Sequence, residues 1–343
     1  MDIIWLITAF YERDVPMKYI ASMKRRLLGI VTPMVFILYI FSGCTGDLKA
    51  GSQDSDGKIS VCTSFYTMYD FAGKIGGDKL KLTNIIPAGA EIHHWEPSPK
   101  DILAIGKSDV FIYNGAGMEP WVEKVLGSVR NEDLLVVEAS KGIELLKGEH
   151  SHEEEREDGK ESAEEDHDLS EYDPHVWLNP LLAKKQMEAI KDALVKADPE
   201  NGDYYRKNYD DNAKKLDELD MEYRETLSKC SKKDIVVGHK AFGYLCEAYG
   251  LRQNAIEGLN SEFEPTPAKM AEIVKFIRDN DIKVIFTDGK SNTKVANTVA
   301  KEVGAQILVL KTLDGLTDED IKAGKDYFAV MRDNLEALKK ALE

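Results

Sequence analysis

The chain states one arrangement twice. KISVCTSF, a helix-like YTMYDFAGKIGG and KLKLTNIIP run into the turn Trp95-Glu96-Pro97-Ser98-Pro99, then a helix, then VFIYNG. Further on, KDIVVGHK, AFGYLCEAYG and QNAIEGL run into Phe263-Glu264-Pro265-Thr266-Pro267, then a helix, then IKVIFTDG. Ser98 and Thr266 suit helix N-caps, with Pro99 and Pro267 at the first helical position, where an amide N–H has no partner to lose. Asp101, three residues after Ser98, completes a capping box. Short β-branched strands alternating with helices predict parallel sheets, because parallel neighbours need a long crossover. Two copies therefore predict an α/β chain with two parallel-sheet lobes and ligand loops at the carboxyl ends of the strands. His239, directly after DIVVG, falls at such an end.

The segment between the copies is helical. NPLLAKKQMEAIKDALVKADPE ends at Asp198-Pro199, and in the next stretch Tyr205, Tyr209, Ala213, Leu216, Leu219, Tyr223 and Leu227 recur three or four apart. That spacing predicts an amphipathic helix of roughly 35–40 Å at 1.5 Å per residue. A helix of that length joining two lobes resists wide hinge opening; the alternative is two helices packed within one lobe. The closing KDYFAVMRDNLEALKKALE predicts a further amphipathic helix on the core.

Seven histidines are distributed in a telling way. His93 and His94 sit in GAEIHHWEPSP, His175 in YDPHVWLNP and His239 in VVGHKAFGYL, while His150, His152 and His167 lie in one acidic stretch. A neutral imidazole offers a nitrogen lone pair to borderline transition metals. Three imidazoles plus a carboxylate or water complete four-coordinate Zn²⁺, whereas Mn²⁺ prefers more oxygen ligands. From Glu144 to Asp173 there are fourteen acidic residues against three basic ones, which predicts a solvated insertion, with metal capture as an added role for its histidines. The net charge of -16 argues against a nucleic-acid partner, which needs a basic surface, and is compatible with a cation as cargo.

Lys24-Arg25-Arg26 precedes the apolar run LLGIVTPMVFILYIFSG, which stops at Cys44. A basic region, a hydrophobic region and small residues before the cut describe an export signal. Ser42-Gly43-Cys44 looks like a bacterial lipoprotein cleavage box, making Cys44 the lipid-bearing first mature residue; an uncleaved membrane anchor is the alternative. Residues 1–16 fit neither reading, so Met17 or Met23 is the expected start. The polar, Gly/Ser-containing stretch after Cys44 reads as a tether. The expected division is an extension and signal at 1–43, a tether at 44–57, a first lobe at 58–178, linking helices at 179–231 and a second lobe at 232–343. Cys62, Cys230 and Cys246 lack the close spacing of a structural zinc knuckle. A Cys230–Cys246 disulfide and isolated thiols both remain open.

From about Val61 to Leu342 the chain resembles the metal-binding lipoproteins of zinc and manganese ABC importers, the TroA-like or ZnuA-like solute-binding proteins. FYTMYDFAGKIGGD, GAEIHHWEPSPKD, the Asn-Gly after VFIY, DPHVWLNP, GHKAFGYL and DYFAVMRDNLEALKKAL carry the resemblance. It implies two α/β lobes joined by a long rigid helix, with the metal between them. It also implies ligands at His93 rather than His94, at His175 and at His239, with Asp314 in KTLDGL as the fourth. Many members place Pro after that aspartate; here Gly315 stands there, and Asp288 or water is the competitor. Manganese receptors of the family usually carry Glu where His239 stands, so zinc is the expected cargo and manganese the runner-up. The implied partners are a membrane permease with its cytoplasmic ATPase, and the implied state is a monomer held outside the cytoplasm by the lipid on Cys44. A zinc hydrolase is the competing class, with Glu96 or Glu264 as base. Each of these glutamates precedes a proline in the repeated turn, and the chain has no HExxH helix. An adhesive role is a third class that no sequence feature tests.

Overall fold

The computed structural model describes residues 57–148, 172–259, 265–289 and 294–343. The signal, Cys44 and the tether to Asp56, most of the acidic insertion with His150, His152 and His167, and Phe263-Glu264 lie outside the described residues. No helix among the described residues is long and apolar enough to cross a membrane.

The first sheet holds β1 (Ile59–Thr63), β2 (Leu80–Asn84), β3 (Val110–Tyr113) and β4 (Leu135–Glu138) in the order β2-β1-β3-β4. The second holds β5 (Asp234–Val237), β6 (Arg252–Ala255), β7 (Val284–Thr287) and β8 (Gln306–Val309) in the order β6-β5-β7-β8. Every pairing is parallel, and the two strand orders are the same. The repeat in the sequence is thus a repeat of topology. The helices that cross over between parallel strands in the first sheet are α1 (Tyr66–Gly76), α2 (Pro99–Lys107) and α3 (Val122–Ser128).

The predicted caps form. Ser98 accepts from the Asp101 backbone N–H, and Asp101 Oδ2 accepts from the Ser98 N–H at 2.9 Å, starting α2. Thr266 Oγ1 accepts from the Lys269 N–H at 3.2 Å, starting α7 (Pro267–Asp279). These bonds, reciprocal at Ser98 and Asp101, satisfy backbone donors that the first helical turn leaves open.

Two helices link the sheets: α4 (Pro180–Ala197), capped by Asn179, and α5 (Gly202–Ser228). At 27 residues α5 is about 40 Å long. It is pinned at both ends. Asn208 Nδ2 donates to the Ile75 carbonyl of α1 at 2.9 Å. Tyr223 OH donates to the Met331 carbonyl of α10 (Tyr327–Leu342) at 2.6 Å. Its predicted apolar face is buried, with Tyr209 half-buried at the margin. A helix shared in this way joins the lobes, and the single-lobe alternative is excluded.

One core runs through both lobes. Val61, Phe111 and Ile112 of the first sheet, Leu216, Leu219 and Tyr223 of α5, and Val237 and Phe286 of the second sheet belong to one continuous cluster. Side chains alternate across a strand. Val236 and Ile285 therefore face the other way, onto Ile273 and Ile277 of α7 and Val299 of α8 (Lys294–Val303), forming a separate outer core. The remaining helices are α6 (Gly243–Tyr249) and α9 (Asp318–Lys322). Cys62, Cys230 and Cys246 are all buried free thiols, so the isolated-thiol reading holds. Burial pushes the Cys62 and Cys246 thiols up to about 12, which keeps both protonated and unreactive at neutral pH.

Candidate metal centre

Three histidines from three separate segments meet where the two sheets' carboxyl ends face each other. His93 lies in the loop that leaves β2 and leads to α2. His239 follows β5, where Gly238 N–H bonds the Phe286 carbonyl at 2.7 Å and fixes the exit of the chain. His175 begins the short 3-10 turn Val176–Leu178 before α4 and is fully buried. The ring centroids stand 5.5 Å apart for His93–His175, 5.5 Å for His93–His239 and 5.1 Å for His175–His239. One donor atom from each falls within 4.8 Å of the others. Zinc–nitrogen bonds of about 2.0–2.1 Å in a tetrahedron put nitrogens about 3.4 Å apart, so a contraction of at most about 1.5 Å would close the three onto one ion.

The contacts behind the rings select their tautomers. Asp173 Oδ1 accepts the His175 backbone N–H at 2.9 Å and lies 2.8 Å from His175 Nδ1. An ionised carboxylate only accepts, so Nδ1 carries the proton and the lone pair is on Nε2. That Nε2 is buried and makes no hydrogen bond among the described residues. A buried acceptor without a partner costs free energy unless something fills the role, and a metal ion does so. His239 Nε2 lies 2.8 Å from the Leu259 carbonyl, which likewise only accepts, so in this arrangement Nε2 carries the proton.

Asp173 is itself held from both lobes. Its backbone N–H bonds the Leu146 carbonyl at 2.8 Å, and its carbonyl accepts from Tyr244 OH of α6 at 2.8 Å. A Cβ on Gly243 would stand 2.5 Å from Asp173 Oδ2, so glycine is what lets α6 approach. Lys147 and Tyr172 pair in an antiparallel bridge that closes the base of the acidic insertion beside this point. Asp173→Asn removes the acceptor for Nδ1–H. We expect zinc affinity to fall about 10–100-fold, as for other carboxylates behind metal-binding imidazoles. Chelator competition measures it, and an unchanged affinity would remove Asp173 from the site.

His94 does not join the three. It lines, with His93, Trp95, Pro97 and Trp121, an adjoining cavity of about 520 Å³. Asp314 is buried, and the Thr312 hydroxyl donates to its Oδ1 at 2.6 Å. The structure does not bring its carboxylate within 4.8 Å of all three imidazole donors, and the same is true of Asp288 at the end of β7. The Asp314 loop is nonetheless anchored to the first lobe. Trp177 Nε1 donates to the Thr312 carbonyl at 2.7 Å, and Thr67 Oγ1 donates to the Leu313 carbonyl. Leu313 is forced to φ 62°, a left-handed backbone that is rare outside glycine and persists only where neighbours over-determine it. A Cβ on Gly315 would stand 3.7 Å from the Gly89 backbone nitrogen, so this loop abuts the one that carries His93. Glu96 lines the cavity beside His94.

The sequence model of the family described as "Zinc-uptake complex component A periplasmic" matches residues 61–341. The high-affinity zinc uptake system protein ZnuA of Bacillus subtilis is 41% identical over 304 residues, covering 88% of this chain and 94% of that protein. The zinc-binding lipoprotein AdcA of Streptococcus pneumoniae is 38% identical over 294 residues, 86% of this chain, which spans 58% of that longer protein. The crystal structure of the Zn(II)-bound ZnuA-like domain of Streptococcus pneumoniae AdcA superposes with a TM-score of 0.71 at 36% identity, over 83% of this chain and 99% of that one. With the family model covering most of its length, this chain belongs to the zinc-uptake complex component A family.

Proposed function

We propose that the protein is the extracytoplasmic receptor of a zinc ABC importer, capturing Zn²⁺ and passing it to a membrane permease driven by a cytoplasmic ATPase. The observation that carries this reading is the convergence of His93, His175 and His239 in a chain of this family. His93, His175 and His239 are the ligands in this reading, with Asp314 moving in to take the fourth position. The contact of its loop with the His93 loop supports that move. Water and Asp288 are the other candidates for that position. Three nitrogen donors favour zinc over manganese. The receptor is a monomer that does no chemistry on its cargo, tethered to the membrane surface by a lipid on Cys44.

Competitive titration of the untagged mature domain, with metal content read by ICP-MS, tests the reading. One tight zinc ion per chain, not displaced by equimolar manganese, is expected. Manganese binding more tightly than zinc would overturn it in favour of a manganese receptor. Zinc-dependent hydrolysis of ester, peptide or phosphate substrates by the same preparation would overturn it in favour of an enzyme.

A further inference from the structure

Behind the DPH segment lies a carboxylate that none of the ligand assignments uses. Glu119 is buried at the carboxyl end of the first sheet. Its Oε1 accepts from Ser64 Oγ at 2.6 Å and from the Asn114 backbone N–H at 2.8 Å, and its Oε2 accepts from the Gly115 N–H at 3.0 Å. Two adjacent backbone donors on two oxygens of one carboxylate form a clasp on the turn after β3. That turn needs one. Gly115, Ala116 and Gly117 take φ values of 83°, 54° and 83°, and a left-handed alanine is unfavourable by itself.

What the turn holds gives the clasp its purpose. Asn114 is fully buried, and its Nδ2 donates to the Pro174 carbonyl at 3.0 Å. Gln186 Nε2 of α4 donates to Asn114 Oδ1 at 2.8 Å and sets the amide's orientation. Pro174 is the residue between Asp173 and His175. A continuous path therefore runs from Glu119 through the Asn114-Gly115 turn to the peptide that carries His175. Ser64 extends the path the other way, because its carbonyl accepts from the Ile86 N–H at 3.0 Å, at the start of the loop that leads to His93.

We infer that Glu119 is a positioning residue for zinc capture, holding the Asn114-Gly115 turn so that the Pro174 carbonyl fixes His175 at the site. The inference rests on His175 being a zinc ligand. The ionised carboxylate makes charge-assisted bonds to both backbone donors, stronger than the neutral acid can make. The groups facing it are Ser64 just after β1, Asn114 and Gly115 after β3, and Glu138 from β4, which repels it; Tyr113, at the end of β3, in turn feels the charge of Glu119. Burial pushes Glu119 up to about 7, against the three hydrogen bonds that lower it. The clasp thus reaches full strength only well above pH 7 and weakens as the pH falls through that value, adding to the loss of zinc from imidazole protonation.

The test is the zinc dissociation constant of the full mature domain by chelator competition from pH 5.5 to 8.5, for wild type, Glu119→Gln, Ser64→Ala and His175→Ala. The amide of Glu119→Gln can accept from only one of the two backbone donors. Its affinity is expected to be about 10-fold below wild type at pH 8, with the ratio shrinking toward one below pH 6, where the wild-type carboxyl is itself protonated. Imidazole protonation is common to both proteins and cancels in that ratio. Ser64→Ala, a mild change, removes a bond that favours the ionised form and so should move the acid limb of the profile to higher pH. A ratio constant with pH, or an unmoved limb in Ser64→Ala, overturns the positioning role. Should Glu119→Gln not fold, the Ser64→Ala profile decides alone. Loss of zinc in His175→Ala with a flat Glu119→Gln ratio sinks this inference and leaves the receptor reading intact. Unimpaired zinc binding in His175→Ala sinks both.

Discussion

Replacing His175 by alanine is expected to abolish tight zinc binding, raising the dissociation constant well over 100-fold. A partner behind a ligand costs about 10–100-fold, and loss of the ligand itself costs more. His93→Ala and His239→Ala should fall in the same class, because the three donors form one group within 4.8 Å and a three-nitrogen site has no redundancy. His94→Ala is the internal comparison. It lines the neighbouring cavity and stands outside the group, so its effect should stay within about 3-fold, far below the full ligand loss. Chelator competition on the four purified variants provides the measurement. A larger loss for His94→Ala than for His93→Ala would exchange their roles.

The largest effect on stability is expected at Trp177. Its side chain is completely buried, 5.0 Å from the Phe65 ring and 5.4 Å from the His175 ring. Its Nε1 donates to the Thr312 carbonyl at 2.7 Å, and its own carbonyl accepts from Tyr327 OH of α10 at 2.7 Å. One residue of the first lobe thus holds the Asp314 loop and the closing helix of the second. Trp177→Ala should cost about 3–5 kcal/mol through the lost packing and the cavity left behind. Trp177→Phe keeps most of the volume but strands a buried carbonyl, which costs about 1–3 kcal/mol. Urea denaturation of the metal-free chain reads both. A Trp177→Phe protein as stable as wild type would mean that the indole bond holds nothing.

The parts of the fold that rest on local rules were legible in the sequence. Ser98 and Thr266 as N-caps, the strands VFIY and VIFT, and the period of the long helix follow from spacing and capping chemistry that depend on neighbours a few residues away. The strand LVVE is not legible in the sequence. It is an edge strand with only Val137 buried, so its pattern lacks the alternation that a half-buried strand shows. The three histidines were visible as motifs, but preferring His93 over His94 needed the family resemblance, because adjacent residues in a loop have no period to tell them apart. Asp173 was in plain view in the DPH motif, yet its role depends on Gly243 and Tyr244, some 70 residues away. The Glu119 clasp was hidden for the same reason, with Ser64 lying 55 residues before the carboxylate. Asp314 shows the limit most clearly. Its loop is set by Thr67 and Trp177, 246 and 135 residues from the carbonyls they bind.

The inner core that threads both lobes and the long helix ties the fate of the chain to its cargo. Lobes with separate cores could melt one at a time, and an ion between them would protect neither fully. Here Val61 of the first sheet and Phe286 of the second lie in one cluster, so unfolding the shared interior takes the site with it. An ion that binds only the folded form adds about 1.4 kcal/mol of resistance to unfolding for every tenfold excess of free metal over its dissociation constant. A starved receptor is therefore the more perishable one. Its lifetime in the presence of extracellular proteases becomes a record of how much zinc the surroundings have supplied.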